Sequence, residues 1–287
     1  MKTQSVIDWV FLFSINFGIN FVLYLSKKLN CVMNKIIITF TLLLMSFVGF
    51  GQSAFKSGEY FKFQVSYGFI NAGIATLELK DATYNGKSVF HAKGYGYTTG
   101  VSKTFFKVKD DYQSYFDKST GQPYRFVRKI QEGGYNRNQE GFIDYKSNTV
   151  LLKDHKTNTE RTFNVHSKIQ DVISSFYHLR NHEKLGSMKV GETLQIDMFF
   201  DDEIFKFKLK FMGYEKIKTK FGTVNTMKFR PYVQSGRVFK EQESLTMWVS
   251  NDENRVPIKI QASLLVGSLK AELIQYKNLK TPLKVVK

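Results

Sequence analysis

Phe205-Lys206-Phe207-Lys208-Leu209-Lys210-Phe211 is the stretch on which the fold turns. Apolar and cationic residues alternate without a break. Successive side chains of a β-strand point to opposite faces, so this pattern puts Phe205, Phe207, Leu209 and Phe211 on one side and only lysine on the other. The strand is half-buried, with a dry face and a wet face. Its neighbours follow the same rule. Leu194, Ile196 and Met198 alternate out to Phe199-Phe200, and Asp201-Asp202 makes a tight turn. Phe221-Gly222 turns into Val224 to Arg230, stopped by Pro231, and Leu245, Met247 and Val249 alternate in turn. Asn251 to Asn254 forms another turn, and Val256 to Ala262 and Ser268 to Tyr276 complete this half.

The half before it reads the same way. Phe61, Phe63, Val65 and Tyr67 alternate with polar residues, Gly68 to Gly73 supplies a turn or bulge, and Ala75, Leu77 and Leu79 resume the pattern. Asn85-Gly86 accepts the positive φ of a type I′ hairpin turn, and Val89 to Tyr97 returns. Lys107 to Phe116, Tyr124 to Gln131 and Glu140 to Tyr145 continue the rhythm, followed by the shorter Val150 to Lys153 and Thr162 to Val165. Gly94-Tyr95-Gly96 and Gly133-Gly134 read as bulges or turns.

One segment breaks the rhythm. Ile169, Val172, Ile173, Phe176 and Leu179 follow helical spacing and share a face, with Ser167 as the expected cap and Asn181-His182 as the expected end. An amphipathic helix between two sets of strands usually plugs or covers an open sheet. The whole reads as roughly twelve to fourteen short strands, at the turn spacing of a sandwich or barrel. The expected fold is all-β with one substantial helix, an antiparallel, twisted, barrel-like or half-barrel sheet. No Pro- or Ser-rich linker divides it.

The first 53 residues belong to a different physical class. Met33-Asn34-Lys35 precedes an uncharged apolar run from Ile36 to Phe50, and Gly51-Gln52-Ser53 leads into Ala54. A short basic start, an apolar run of about 15 residues and small exit residues make a secretory signal peptide. Residues 33–53 are therefore expected to direct export to the periplasm, leaving residues 54–287 as one β domain. Residues 1–32 carry a second apolar stretch, Val6 to Leu25, followed by Lys27-Lys28. It reads either as an over-extended start ahead of Met33 or as an N-terminal membrane segment of the minimum spanning length, about 20 residues.

Composition narrows the chemistry. Cys31 is the only cysteine, so residues 54–287 have no disulfide, no thiol nucleophile and no thiolate ligand for zinc. Lysine and arginine number 42 against 25 acidic residues. Four of those basic residues and one acid lie before Ala54, so the remainder carries a net charge of +14. In the cytoplasm such a balance points to nucleic acid. In an exported protein it points instead to anionic lipid headgroups or glycans, or to lysines that keep solvent-facing strands soluble.

Several segments together resemble a known family. They are Gly58-Glu59 to Tyr67, Asn71 to Leu77, Phe105 to Phe116, Pro123 to Phe126, Gln170 to Phe176 and Gly222 to Pro231. The most specific piece is Trp248-Val249-Ser250-Asn251-Asp252 with Arg255-Val256-Pro257-Ile258. The pattern is similar to that of DUF3108 proteins, an uncharacterised family of exported bacterial proteins, over about residues 54–280. The resemblance implies an exported, all-β, barrel-like protein and, by looser analogy, a curved sheet of the kind found in periplasmic lipoprotein carriers. It implies no catalytic residues.

Catalytic motifs are missing from the sequence. His178 and His182 stand four apart near the helix end, but Leu179 occupies the position where a metalloprotease motif has glutamate. Asp110-Asp111 and Asp201-Asp202-Glu203 are adjacent carboxylates, which a strand sends to opposite faces. No nucleophile elbow of the Gly-x-Ser-x-Gly type is present. The expectation is a non-enzymatic protein without cofactor or metal. The aromatic residues suggest a binding role. Phe105-Phe106, Phe199-Phe200 and the face from Phe205 through Phe207 to Phe211, with Phe176 of the helix, would line an apolar cavity under the helix, and Tyr112, Tyr115 and Arg125 would stand at its mouth. The occupant would be a lipid or other amphiphile, with contact to a membrane surface and none to nucleic acid. The competing readings are a solid aromatic core in a protein that docks edge strands on a membrane partner, and an envelope glycan hydrolase. Fusing Met33–Ser53 to a reporter protein is expected to carry it out of the cytoplasm; a reporter that stays inside would refute the export signal.

Overall fold

Residues 53–232, 245–264 and 267–286 are described by a computed structural model. The signal segment up to Gln52, the Val6–Leu25 stretch and Cys31 lie outside the described residues. Ser53–Lys287 forms one compact unit. Its elements run β1 (Tyr60–Tyr67), β2 (Ile70–Tyr84), β3 (Lys87–Thr98), α1 (Ser102–Phe105), β4 (Lys109–Asp117), β5 (Pro123–Glu132), β6 (Tyr135–Asp144), β7 (Thr149–Asp154) and β8 (Thr159–Asn164). After helix α2 (Val172–Asn181) and a 3-10 turn (Glu183–Gly186) come β9 (Thr193–Phe200), β10 (Glu203–Thr219), β11 (Gly222–Tyr232), β12 (Leu245–Ser250), β13 (Pro257–Ser263), β14 (Ser268–Lys277) and β15 (Val285–Val286).

All the strands join one antiparallel sheet. Its order is β8-β7-β6-β5-β4-β3-β2-β1-β14-β13-β12-β11-β10-β9, with β15 added beside β11. Two up-and-down meanders are thus stitched together by β1 and β14, where Phe63 faces Leu273 and Val65 faces Ala271. The hairpins fall at two ends. The β1–β2, β3–β4, β5–β6, β9–β10 and β13–β14 connections form an upper rim; the β2–β3, β4–β5, β10–β11 and β12–β13 connections form a lower one.

The two edge strands, β8 and β9, share no ladder, so the sheet stays open, yet the curl brings them close. The chain leaving β8 runs beside β9, where Gln170 N–H donates to the Asp197 carbonyl (2.9 Å) and Phe199 N–H donates to the Gln170 carbonyl (2.8 Å). Phe163 of β8 packs on Phe199 of β9, with ring centroids 5.2 Å apart. At the β9–β10 tip, Asp202 pairs with Arg161 of β8 (2.5 Å) and Asp201 pairs with Arg128 of β5. Asp201 and Asp202 have positive φ, as a tight hairpin requires, but their side chains do more than serve the turn. They are the clasp across the seam.

Helix α2 lies inside the curl. It starts three residues later than its apolar spacing predicts, because Asp171, not Ser167, caps it. The Asp171 carboxylate accepts the Ile173 and Ser174 N–H groups, and the Ser174 hydroxyl accepts the Asp171 N–H, a reciprocal capping box. Ile169 is buried, but in the segment that bridges to β9. On the inner side of the sheet, Ser114 donates to Asp171 (2.6 Å). Ile173 sits where a side chain on Gly94 would be: a Cβ there would lie 3.0 Å from the Ile173 Cδ1. Gly94 and Gly96 are therefore not bulge residues. They lie in the regular β3–β4 ladder, opposite Tyr112 and Asp110, and their missing side chains make interior space.

The core divides around this helix. Phe55, Leu79, Ala92, Phe116 and Tyr177 pack on one side of it. Leu179 joins the large cluster of Leu194, Ile196, Met198, Leu209, Phe211, Met227 and Phe229 on the other. The half-buried Phe205 and Phe207 pack against that second cluster, while Lys206 and Lys208 are exposed, as the alternation of β10 requires.

The lower end is locked by a buried ion pair. Arg180, 3% exposed, donates through Nη1 to Glu59 Oε1 (2.5 Å) and through Nη2 to Glu59 Oε2 (2.8 Å); Glu59 is fully buried. The remaining guanidinium donors reach the Asn254 carbonyl (2.7 and 3.1 Å) and the Ala54 carbonyl (3.3 Å). The rings of Phe55, Phe61, Phe176 and Tyr177 surround the cation at 5.3–5.6 Å. Glu59→Gln leaves that buried cation uncompensated and is expected to cost about 3–5 kcal/mol in chemical denaturation, whereas a Glu59→Leu/Arg180→Met pair should recover part of the loss.

Candidate functional site

The lower half of the curl is filled by α2 and its aromatic neighbours, and the upper half holds a cavity of about 780 Å³. This lies within the range of small-molecule sites, about 300–1,000 Å³. One wall is apolar: Val65 and Tyr67 of β1, Gly73 and Ala75 of β2, and Leu269 of β14. These positions face one another across the β2–β1–β14 ladders, so the alternation of three strands builds the wall. Gly96 widens it, because a Cβ there meets nothing within 4 Å. The β3–β4 connection, including α1, folds over the side. Phe105 and Phe106 line it, and Phe106 packs over Gly133 of the β5–β6 turn. Val108 fixes this flap by bridging to Glu132, with the Lys107 carbonyl accepting the Gly133 N–H (2.9 Å).

The charged lining is acidic. Asp110 and Glu132 stand together on the β4–β5 side of the cavity, and Asp110 accepts the Gln131 N–H (3.2 Å). Partial burial, with Glu132 alongside, pushes Asp110 up to about 6. Below this pair, Tyr112, Arg128, Asp171 and Asp201 line a much narrower cleft of about 20 Å³ at the start of α2, about the room one water needs. Arg128 is held there by Asp201, and burial raises the Tyr112 phenol.

The aromatic and basic residues singled out in the sequence separate accordingly. Phe105 and Phe106 line the large cavity, and Tyr112 lines the narrow cleft beneath it. Tyr115 and Arg125 do not stand at the mouth. Tyr115 alternates with the buried Ser114 and Phe116, so it faces outward, stacked on His91 at 4.2 Å with the Arg125 guanidinium over its ring. Arg125 is paired with Glu140. Phe176 packs on Tyr177 beside the buried Arg180, and Phe205 and Phe207 belong to the core under β9–β10. None of these three is among the residues lining the 780 Å³ cavity. The true wall residues, Val65, Ala75, Gly96 and Leu269, carry no chemical label. Only the register of β1, β2, β3 and β14 brings them together.

A second depression, about 370 Å³, opens at the lower rim among Asp117, Tyr177, His178 and His182. His178 and His182 meet edge to face at 6.2 Å, and burial lowers both. Among the described residues no group of three His, Cys, Asp or Glu side chains could hold a metal ion, and no helix is long and apolar enough to cross a membrane.

Asp110 makes stability depend on pH. Asp110 keeps its proton in the folded protein up to about pH 6, whereas the unfolded chain releases it near 3.8. Folded-state stability therefore falls as pH rises from about 4 through 6, because the unfolded state ionises more readily. Asp171, fully buried and also raised to about 6 by desolvation, adds a fall of the same sign. Asp110→Asn should leave stability near pH 4 unchanged and raise it at pH 7.5 by about 1 kcal/mol, a modest gain because the site is half exposed. Urea titrations at the two pH values measure it.

Comparison with solved structures supports the barrel-like description. A β-barrel-like protein of the DUF1849 family from Brucella abortus aligns with a TM-score of 0.50 and 9% identity, over 78% of this chain and 99% of that one. A DUF1089 family protein from Pseudomonas aeruginosa aligns with a TM-score of only 0.32 and 11% identity, over 63% of this chain and 87% of that one. No functionally curated protein matches the sequence. The profile of DUF3108, proteins of unknown function, matches residues 62–274, which span the sheet from β1 into β14 and include the cavity wall: the chain belongs to the DUF3108 family.

Proposed function

We infer that the protein is an exported, non-enzymatic binding protein of the cell envelope, and that it holds the apolar portion of a lipid or similar amphiphile in the upper cavity. The observation that carries this reading is the cavity itself, about 780 Å³ and walled by Val65, Ala75, Leu269, Phe105 and Phe106. Interiors normally close-pack, and a space of this size beside apolar walls loses dispersion contacts that a hydrocarbon chain restores. The wall would take the chain, and Asp110 and Glu132 would meet a polar group near it. The basic residue expected at the mouth, Arg125, faces away, so the headgroup is placed at the rim outside the cavity. Export rests on the Met33–Ser53 pattern.

Gly96→Leu tests the reading without breaking the fold. Gly96 has open space where its side chain would go and no positive φ, so leucine fills the cavity. The full chain, purified from envelope extracts of the producing cell, is expected to carry a lipid mass in native mass spectrometry. Gly96→Leu should lose that mass while melting at the same temperature or higher. A wild-type protein that emerges empty and takes up no added lysophospholipid would overturn the proposal.

A further inference from the structure

Of the twelve large apolar side chains that are exposed among the described residues, nine lie on the upper rim, and eight of these, all but Ile204, stand on the side where the cavity opens. The most exposed are Phe69 (107%), Phe105 (83%), Val101 (70%), Ile70 (59%) and Phe106 (55%). They occupy two neighbouring connections, the β1–β2 tip and the β3–β4 flap, which Thr99 ties together by donating its N–H to the Ala72 carbonyl (2.9 Å). Apolar residues gathered this way on a soluble surface mark a contact site.

Charge identifies the contact. Lys103 and Lys107 on the β3–β4 connection and Lys109 at the start of β4 are all exposed, and they stand beside Val101, Phe105 and Phe106. Asp110 and Glu132 line the cavity, and Asp201 and Asp202 are engaged by Arg128 and Arg161. Aromatic side chains on a loop tip with lysines beside them match a bilayer interface: rings enter the headgroup layer while ammonium groups meet anionic phosphates. The apolar wall below is continuous with them through Tyr67, Ile70 and Leu269.

We propose that the β1–β2 tip and the β3–β4 flap seat the protein on an anionic lipid surface, with Phe69 and Phe105 inserted and Lys103 and Lys107 against the headgroups. This seating does not depend on what fills the cavity. It sets the mouth of that cavity against the lipid.

The test reports on one position, because the apolar residues before Ala54 could bind lipid by themselves. In the full chain, with Cys31→Ser, an environment-sensitive NBD fluorophore is attached at Phe105→Cys or, on the lower rim, at Ser147→Cys. Vesicles contain phosphatidylcholine alone or with phosphatidylglycerol, with and without brominated chains. With anionic vesicles the label at 105 is expected to shift to the blue and be quenched by bromine, while the label at 147 stays in water. Binding at 105 should weaken at least tenfold with neutral vesicles or with Lys103→Glu/Lys107→Glu. A label at 105 that stays aqueous would overturn the proposal. So would equal shifts at 105 and 147, or a label at 105 already shielded without lipid, which would mean that another part of the chain or a second copy covers the rim.

Discussion

The ion pair between Arg180 and Glu59 is the constraint on which the rest of the structure depends. A guanidinium buried in the interior is tolerable only if its donors are met, and here the Glu59 carboxylate and the carbonyls of Asn254 and Ala54 meet them. Those partners come from the start of β1, the β12–β13 turn and the chain ahead of β1. One side chain near the end of α2 thus fastens both meanders to the helix. Arg255 adds a second tie, donating to the Arg180 carbonyl and, at 2.9 Å, to the His182 carbonyl.

Fastening α2 at the lower end determines where space remains. The helix is ten residues long and reaches only partway up a sheet whose longest strand, β10, has seventeen. Its N-terminus stops at Asp171, against Ser114 and the narrow cleft beside Arg128. Above it, no element of the described chain crosses the interior, and Gly96 presents no side chain to fill it. The cavity is therefore a consequence of helix length and of Gly96, and its apolar wall follows from the ordinary alternation of β1, β2 and β14. The upper rim combines this opening with exposed aromatic tips and lysines, a combination suited to exchange with lipid.

Charged groups inside the curl have distinct tasks. Asp201 and Asp202 clasp β5 and β8 and hold the open edges together where the backbone ladder is missing. Asp171 caps the helix and is pushed up by burial even though it accepts three donors. Asp110, beside Glu132, faces the cavity. Asp201 and Asp202 act together across the seam, whereas Asp110 and Asp111 part: Asp111 faces outward to Lys93, away from the cavity that Asp110 lines.

Two-residue alternation marks the strands and the dry and wet faces of β10, helical spacing marks the one amphipathic helix, and the Asn-Gly pair marks the turn at Asn85-Gly86. These features are legible because each depends on neighbours within a few residues. The DUF3108 resemblance was legible as well, in the Trp248 to Pro257 pattern and the segments around it. The site was not. Phe105 and Phe106 could be picked out as an aromatic pair, but Tyr115, Arg125, Phe176, Phe205 and Phe207 have the same composition and stand elsewhere. Which aromatic side chains line a cavity depends on strand order, on the face each strand turns inward and on how far the helix reaches. The seam between β8 and β9, the Ser114–Asp171 bond that seats the start of α2 and the Glu59–Arg180 pair join residues from about 30 to over 120 positions apart. Only the tertiary structure decides such contacts, because nothing in local sequence records which distant carboxylate a buried arginine will meet.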